Sequence, residues 1–176
     1  MKMIKRLLSL LLLMFIVPSF CFAITSAELV HLGNVAGRQE KYKEAVEDYT
    51  KAIKMNHDDA DAFYNRGYVL IKLGKYNRAV KDLDRAITLE PEFAAAYHIR
   101  GIAFFDKKKY HEAVMDYTKA IALEPDNIKF YYSRMSAYCK LGSSSHAWED
   151  VIKIQKLGGT VNPTLINILK GRSYRE

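Results

Sequence analysis

Three consecutive stretches of the chain read as copies of one another: Ser26–Asp59 (SAELVHLGNVAGRQEKYKEAVEDYTKAIKMNHDD), Ala60–Phe93 (ADAFYNRGYVLIKLGKYNRAVKDLDRAITLEPEF) and Ala94–Asn127 (AAAYHIRGIAFFDKKKYHEAVMDYTKAIALEPDN). They align without a gap at a period of 34, and a fourth copy begins at Ile128 and fades after Leu157. The eighth residue of each unit is Gly33, Gly67, Gly101 and then Met135; the twentieth is Ala45, Ala79, Ala113 and Ala147. The twenty-seventh is Ala52, Ala86, Ala120 and then Ile154. Large residues recur between them, with Leu29, Phe63, Tyr97 and Tyr131 fourth and Tyr49, Leu83, Tyr117 and Val151 twenty-fourth. Small residues let two helices approach closely and large ones fill the layer between them.

Each copy divides into two amphipathic stretches, 26–39 and 42–55 in the first, with equivalents 34, 68 and 102 residues later. In the second stretch of the third unit, Ala113, Val114, Tyr117, Ala120, Ile121 and Leu123 form one buried helical stripe. Lys-Tyr at 41–42, 75–76 and 109–110 falls in the short turn, with the tyrosine expected as a wedge between helices. Pro91 and Pro125 stop the second and third units from running on, since proline cannot continue a helix.

A 34-residue period of paired helices with these spaced positions resembles the tetratricopeptide repeat. The resemblance implies an all-α, right-handed α-solenoid of four helix-turn-helix units: 26–59, 60–93, 94–127 and a degenerate fourth over 128–157. His57 stands where the first unit would close on proline, and the fourth unit lacks the glycine, the second alanine and the proline. Terminal repeats are expected to be atypical because one face has no neighbour. After Gly158-Gly159, Asn162-Pro163 reads as a helix start, so 158–176 is assigned a capping helix over 162–170 and a frayed charged tail over 171–176. Leu165, Ile168 and Leu169 fall where a fifth unit would place its fourth, seventh and eighth residues.

Residues 1–23 carry a targeting signature. Lys2, Lys5 and Arg6 precede an apolar run from Leu7 to Val17, and Cys21-Phe22-Ala23 offers small residues at a peptidase site. This run of eleven residues falls well short of the ~20 that span a bilayer as a helix. Cleavage after Ala23 is expected, with an uncleaved anchor over residues 7–17 as the alternative. Pro18-Ser19-Phe20 before Cys21 does not match a lipoprotein signal. The whole chain holds 27 Lys and Arg against 20 Asp and Glu; without the first 23 residues the balance is 24 against 20, a net charge of +4. That balance does not call for a nucleic-acid partner. Cys139 alone then remains, so packing rather than an intramolecular disulfide must supply stability.

One charge pattern departs from the family. The seventh residue, usually apolar there, is Leu32 in the first unit and then Arg66, Arg100 and Arg134. The twenty-third is always aspartate: Asp48, Asp82, Asp116 and Asp150. The stacking implied by the resemblance suggests ion pairs between neighbouring units, Asp48 with Arg66, Asp82 with Arg100 and Asp116 with Arg134, rather than an exposed basic stripe.

The resemblance also implies a concave groove lined by the first helix of each unit. Its positions here include Asn34, Tyr64, Tyr68, Ile71, His98, Ile102, Phe105, Lys129, Tyr132 and Cys139. Most are aromatic or apolar and suit a partner peptide with hydrophobic anchors, although several could instead pack on one another or on the cap. Chaperone-binding members of the family grip a C-terminal carboxylate with two asparagines and three basic residues. Asn34 and Asn65 match the asparagines, but Val30, Ala95 and Ile99 occupy the basic positions, which argues against such a clamp. The five histidines are scattered without metal-ligand spacing, and there is no phosphate loop or nucleophile elbow. No catalytic residue, cofactor or metal is expected, and no nucleic acid or small-molecule substrate. The expected function is a protein-binding scaffold in the periplasm or secreted, serving envelope assembly or secretion, or alternatively a structural or accessory subunit of a larger envelope complex.

Overall fold

The computed structural model describes residues 24–173, and the targeting segment over 1–23 lies outside them. Four helical hairpins follow one another: α1 (Ser26–Arg38) with α2 (Tyr42–Met55), α3 (Ala60–Lys72) with α4 (Tyr76–Leu89), α5 (Ala94–Asp106) with α6 (Tyr110–Leu123), and α7 (Ile128–Leu141) with α8 (Ser144–Lys156). A last helix, α9 (Pro163–Ser173), closes the described chain. It therefore runs through residues 171–173, where a frayed tail was expected, and 174–176 lie outside the described residues. Consecutive helices pack on one another along the whole chain, and the first helices of adjacent units also touch, α1 with α3, α3 with α5 and α5 with α7. The second helices of successive units make no such contact. The first helices thus line the inner wall of a curved solenoid and the second helices its outer wall.

Capping chemistry sets the boundaries. Thr25 and Glu28 form a reciprocal capping box at α1, and Asp59 and Asn127 accept from the first-turn amides of α3 and α7. Lys41, Lys75 and Lys109 hold the N-cap positions of α2, α4 and α6, so the tyrosine after each one opens the second helix rather than sitting in the turn. The wedge survives in that position: the Tyr110 ring meets Phe105 edge-on at 5.2 Å. Where the first unit lacks its proline, Asn56 Oδ1 accepts from the Asp58 amide, an Asx turn that ends α2 by another route.

Inside each hairpin, the eighth and twenty-fourth positions meet face to face. A Cβ added at Gly33 would lie 2.6 Å from the Tyr49 ring, at Gly67 2.9 Å from Leu83, and at Gly101 2.5 Å from the Tyr117 ring. The fourth unit reverses the assignment: Met135 supplies the bulk and Val151 the room, both buried in one cluster. The missing glycine is therefore a volume-conserving exchange across the hairpin rather than decay. Ala45, Ala79, Ala113 and Ala147 are fully buried, as are Ala52, Ala86 and Ala120, because larger side chains there would part the helices. At the C-terminal end, Val161 and Leu169 join Val151 and Ile154, with Leu165 and Ile166 packed alongside, so α9 covers α8 as a fifth unit would. Ile168, expected to share that face, is 46% exposed.

Candidate partner-binding groove

A polar ladder fixes the spacing of the hairpins that carry the groove. Arg66 donates through Nε and Nη2 to both carboxylate oxygens of Asp82, at 2.7 and 2.8 Å. Arg100 engages Asp116 in the same way at 2.8 and 2.7 Å, and Arg134 engages Asp150 at 3.1 and 2.7 Å. These partners lie within a unit, which corrects the inter-unit pairs expected from sequence. Asp48 meets Lys51 at 3.5 Å instead of Arg66, and Asp150, left out of that expectation, takes Arg134. The reason is rotational. At 3.6 residues per turn, positions 23 and 25 of the second helix point about 200° apart. Position 23 faces back to its own first helix and position 25 forward to the next unit. The inter-unit link comes from position 25: Arg66 Nη1 donates to Thr50, Arg100 Nη1 to Asp84 and Arg134 Nη1 to Thr118, at 3.0, 2.7 and 3.0 Å.

Each guanidinium also lies over the ring at position four of its own unit, Phe63, Tyr97 or Tyr131, at 5.7, 5.4 and 5.7 Å. The planar fork suits a carboxylate on one edge and a hydroxyl or second carboxylate on another. Asp82, Asp116 and Asp150 are 8%, 5% and 1% exposed. Hydrogen bonds donated to Asp116 hold the Arg100 guanidinium pKa above its ordinary range. Burial pushes the Asp116 and Asp150 carboxyls up against the pull of their arginines. The arginines are thereby consumed by the scaffold.

The inner wall divides into residues that brace it and residues left open. Asn34 accepts the Tyr49 hydroxyl at 2.7 Å, and Tyr64 packs on Phe93 with ring centroids 4.8 Å apart. Burial pushes the Tyr64 hydroxyl above its usual pKa, and Ile71 joins the same core cluster. Tyr132 donates to the Thr160 carbonyl at 2.7 Å, which ties the wall to the segment leading into α9. Cys139 is half-buried against the C-terminal core, where burial raises its thiol pKa. Tyr68, by contrast, is 41% exposed with the Lys72 ammonium over its ring at 5.3 Å, and Lys129 is exposed.

An open recess lies in the wall between α5 and α7. Ile102, Phe105, Tyr117, Ser133 and Ser136 line it, and its volume is about 230 Å³. Beside it, His98 Nε2 and Ser133 Oγ share a hydrogen bond of 2.8 Å that spans the two helices. The imidazole is wedged between Phe130 at 4.7 Å and Tyr117 at 5.6 Å. Burial, helped by the Lys129 charge, lowers its pKa from 6.5 to about 4, so it is neutral near pH 7. An apolar rim with hydroxyls on one side receives an apolar or aromatic side chain that carries at most one polar group. The sequence reading missed Ser133, Ser136 and Tyr117. Ser136 stands at the same ninth position as Asn34, Tyr68 and Ile102 and was within reach of that rule; Tyr117 comes from an outer helix, which no inner-wall rule samples. Val30 and Ile99, at two basic positions of a carboxylate clamp, pack into the apolar core. Among the described residues, no group of three or more His, Cys, Asp or Glu comes together where it could hold a metal ion.

Known proteins share this architecture. No curated protein matches the chain by sequence. A solved structure of MamA superposes with a TM-score of 0.73 at 25% identity, over 76% of this chain and 78% of that one. The first TPR domain of human RPAP3 superposes with a TM-score of 0.66 at 30% identity, over 68% of this chain and 94% of that one. A structure of the first TPR of Spaghetti (RPAP3) bound to the HSP90 peptide SRMEEVD gives the same score and identity, over 67% and 94%. The TPR repeat family model matches residues 33–74 and 101–142, and the tetratricopeptide repeat model matches 60–93. With the gapless hairpins, the paired helices and these matches together, the chain belongs to the tetratricopeptide repeat family.

Proposed function

We propose that this chain is a non-enzymatic scaffold that holds an extended segment of a partner protein along its inner wall, with one apolar side chain of that segment seated between α5 and α7. The observation that carries the reading is the recess of Ile102, Phe105, Tyr117, Ser133 and Ser136, an apolar, concave part of the inner wall that its own neighbours leave open. Peptide binding by a related domain, the RPAP3 repeat that holds an HSP90 peptide, supports the mode but not the ligand. Val30, Ala95 and Ile99 offer no cations for a terminal carboxylate, so side-chain burial rather than end recognition carries affinity here. Export through residues 1–23 would place this activity in the periplasm or outside the cell, in the assembly or secretion of envelope components, or at the inner membrane if residues 7–17 stay attached.

A photo-crosslinking residue placed at Phe105 tests this in cells that make the protein. The same residue at Met115, 72% exposed on the outer wall, serves as the control. A discrete partner joined from position 105 and not from 115 is the expected result. Equal yields from both positions, or none from 105, would discard the groove.

A further inference from the structure

The two ends of the solenoid are finished differently, and we infer that the open end is a self-association surface that joins two copies of this chain through α1. In units two to four, the outward face of the first helix is covered by the preceding unit. Val69 packs with Ala45 and Tyr49, Ala96 and Ile99 with Leu83 and Ala86, Phe130 with Ala120, and Ala137 with Ala113 and Tyr117. The equivalent face of α1 has no predecessor among the described residues. Ile24 and Leu32 are both 45% exposed there and Val35 is half-buried. Ile24, Ala27, Glu28, His31 and Leu32 line a shallow, largely apolar depression on it. Repeat proteins use a polar outer face on their terminal units to stay soluble, and this face is largely apolar.

The order of residues on the stripe names the occupant. Ala27, Glu28, His31, Leu32 and Val35 are spaced as one seam of a helix pair, and Ile24 lies just before the N-cap Thr25. About a two-fold axis between residues 29 and 30, a second α1 laid antiparallel sets Ala27 opposite Leu32 and Glu28 opposite His31, with Val35 facing the partner copy's chain just before α1, at Ile24. Every apolar residue meets an apolar one, and the one acid meets the one base. A contact that repeats itself across a two-fold is isologous and closes at two. At the other end of the described chain, α9 covers the apolar face of α8. One helix against one helix buries well under the ~1,600 Å² of a standard interface, so the pair is reversible and concentration-dependent. Both inner walls stay open in such a dimer, which lets it grip a partner carrying two copies of the bound segment with the gain that linkage brings.

Leu32→Arg separates association from folding, because it restores at position seven the residue of the other three units and offers Asp48 a partner within its own hairpin. Sedimentation of the protein as isolated from the cells that make it, over a wide concentration range, is expected to show mass rising from monomer to dimer and stopping there. Leu32→Arg should raise the dissociation constant at least about tenfold and leave the melting temperature of the monomer unchanged or higher. His31→Glu should weaken the dimer by setting like charges opposite one another. A chain monomeric throughout, assembly that continues past two copies, or a dimer indifferent to Leu32→Arg would each overturn the inference. So would binding of the native chain to anionic vesicles, lost in Leu32→Arg, with no dimer in solution.

Discussion

The first and third hairpins share a backbone plan but solve it differently. Both place a glycine against a tyrosine ring, Gly33 on Tyr49 and Gly101 on Tyr117, and both bury the same pair of alanines. Around that common seam, the third hairpin carries Tyr97, Arg100 and Asp116 as a stacked and paired set, tied to the preceding unit through Asp84. The first carries Leu29, Leu32 and Asp48, and its aspartate pairs with Lys51. The close apolar seam is thus common to both hairpins, whereas the guanidinium, paired within its own hairpin, also ties that hairpin to the one before it. Among the described residues, an arginine at position 32 would find no preceding unit for its third nitrogen.

The largest break in that comparison comes from Arg100→Ala. It strands Asp116 with its carboxylate buried and removes the tie to Asp84, and deleting one member of such a buried pair costs about 3–5 kcal/mol. Thermal melting should show a clear drop, with partner capture at low temperature little changed. An unchanged melting temperature would show that the ladder does not hold the hairpins. Next in size is the seam. Gly101→Met alone overpacks the Tyr117 ring and should cost about 1–3 kcal/mol. The double change Gly101→Met with Tyr117→Val copies the fourth unit and should recover most of it. Denaturant titration of both proteins decides whether volume exchange explains Met135 and Val151.

A smaller effect belongs to the groove. His98 has a folded pKa near 4 against an ordinary 6.5, so between these values the unfolded chain binds the extra proton. Stability from this group is complete above pH 6.5 and is lost as pH falls toward 4, by roughly 1–2 kcal/mol once its partial exposure is discounted. His98→Asn should flatten that part of the stability profile, measured by urea unfolding across the window. Least of all is the effect of Leu32→Arg on folding. A pair with Asp48 at the solenoid's end is worth under about 1 kcal/mol, so its melting curve should sit at or slightly above the native one.

The inner-wall positions were implied by the family resemblance, and of these Ile102 and Phe105 line the recess between α5 and α7. What the wall residues do was not legible in the sequence, since Asn34, Tyr64 and Tyr132 are held by Tyr49, Phe93 and Thr160 from other parts of the chain. The recess itself depends on Tyr117, which reaches the inner wall because Gly101 leaves room for its ring.

The sequence alone determined the period, the eight hairpin helices to within a residue at each end, the small-residue seams and the need for a cap. These follow from local periodicity and from volumes repeated at fixed spacing, which no long-range contact can alter. Only the tertiary structure decided which aspartate each arginine meets. The first helix of a unit packs between its own second helix and that of the preceding unit, so the sequence alone does not choose between an aspartate 16 residues ahead and one 18 residues behind. Rotation of the second helix about its own axis turns position 23 inward and position 25 toward the next unit, and that angle settled the pairing.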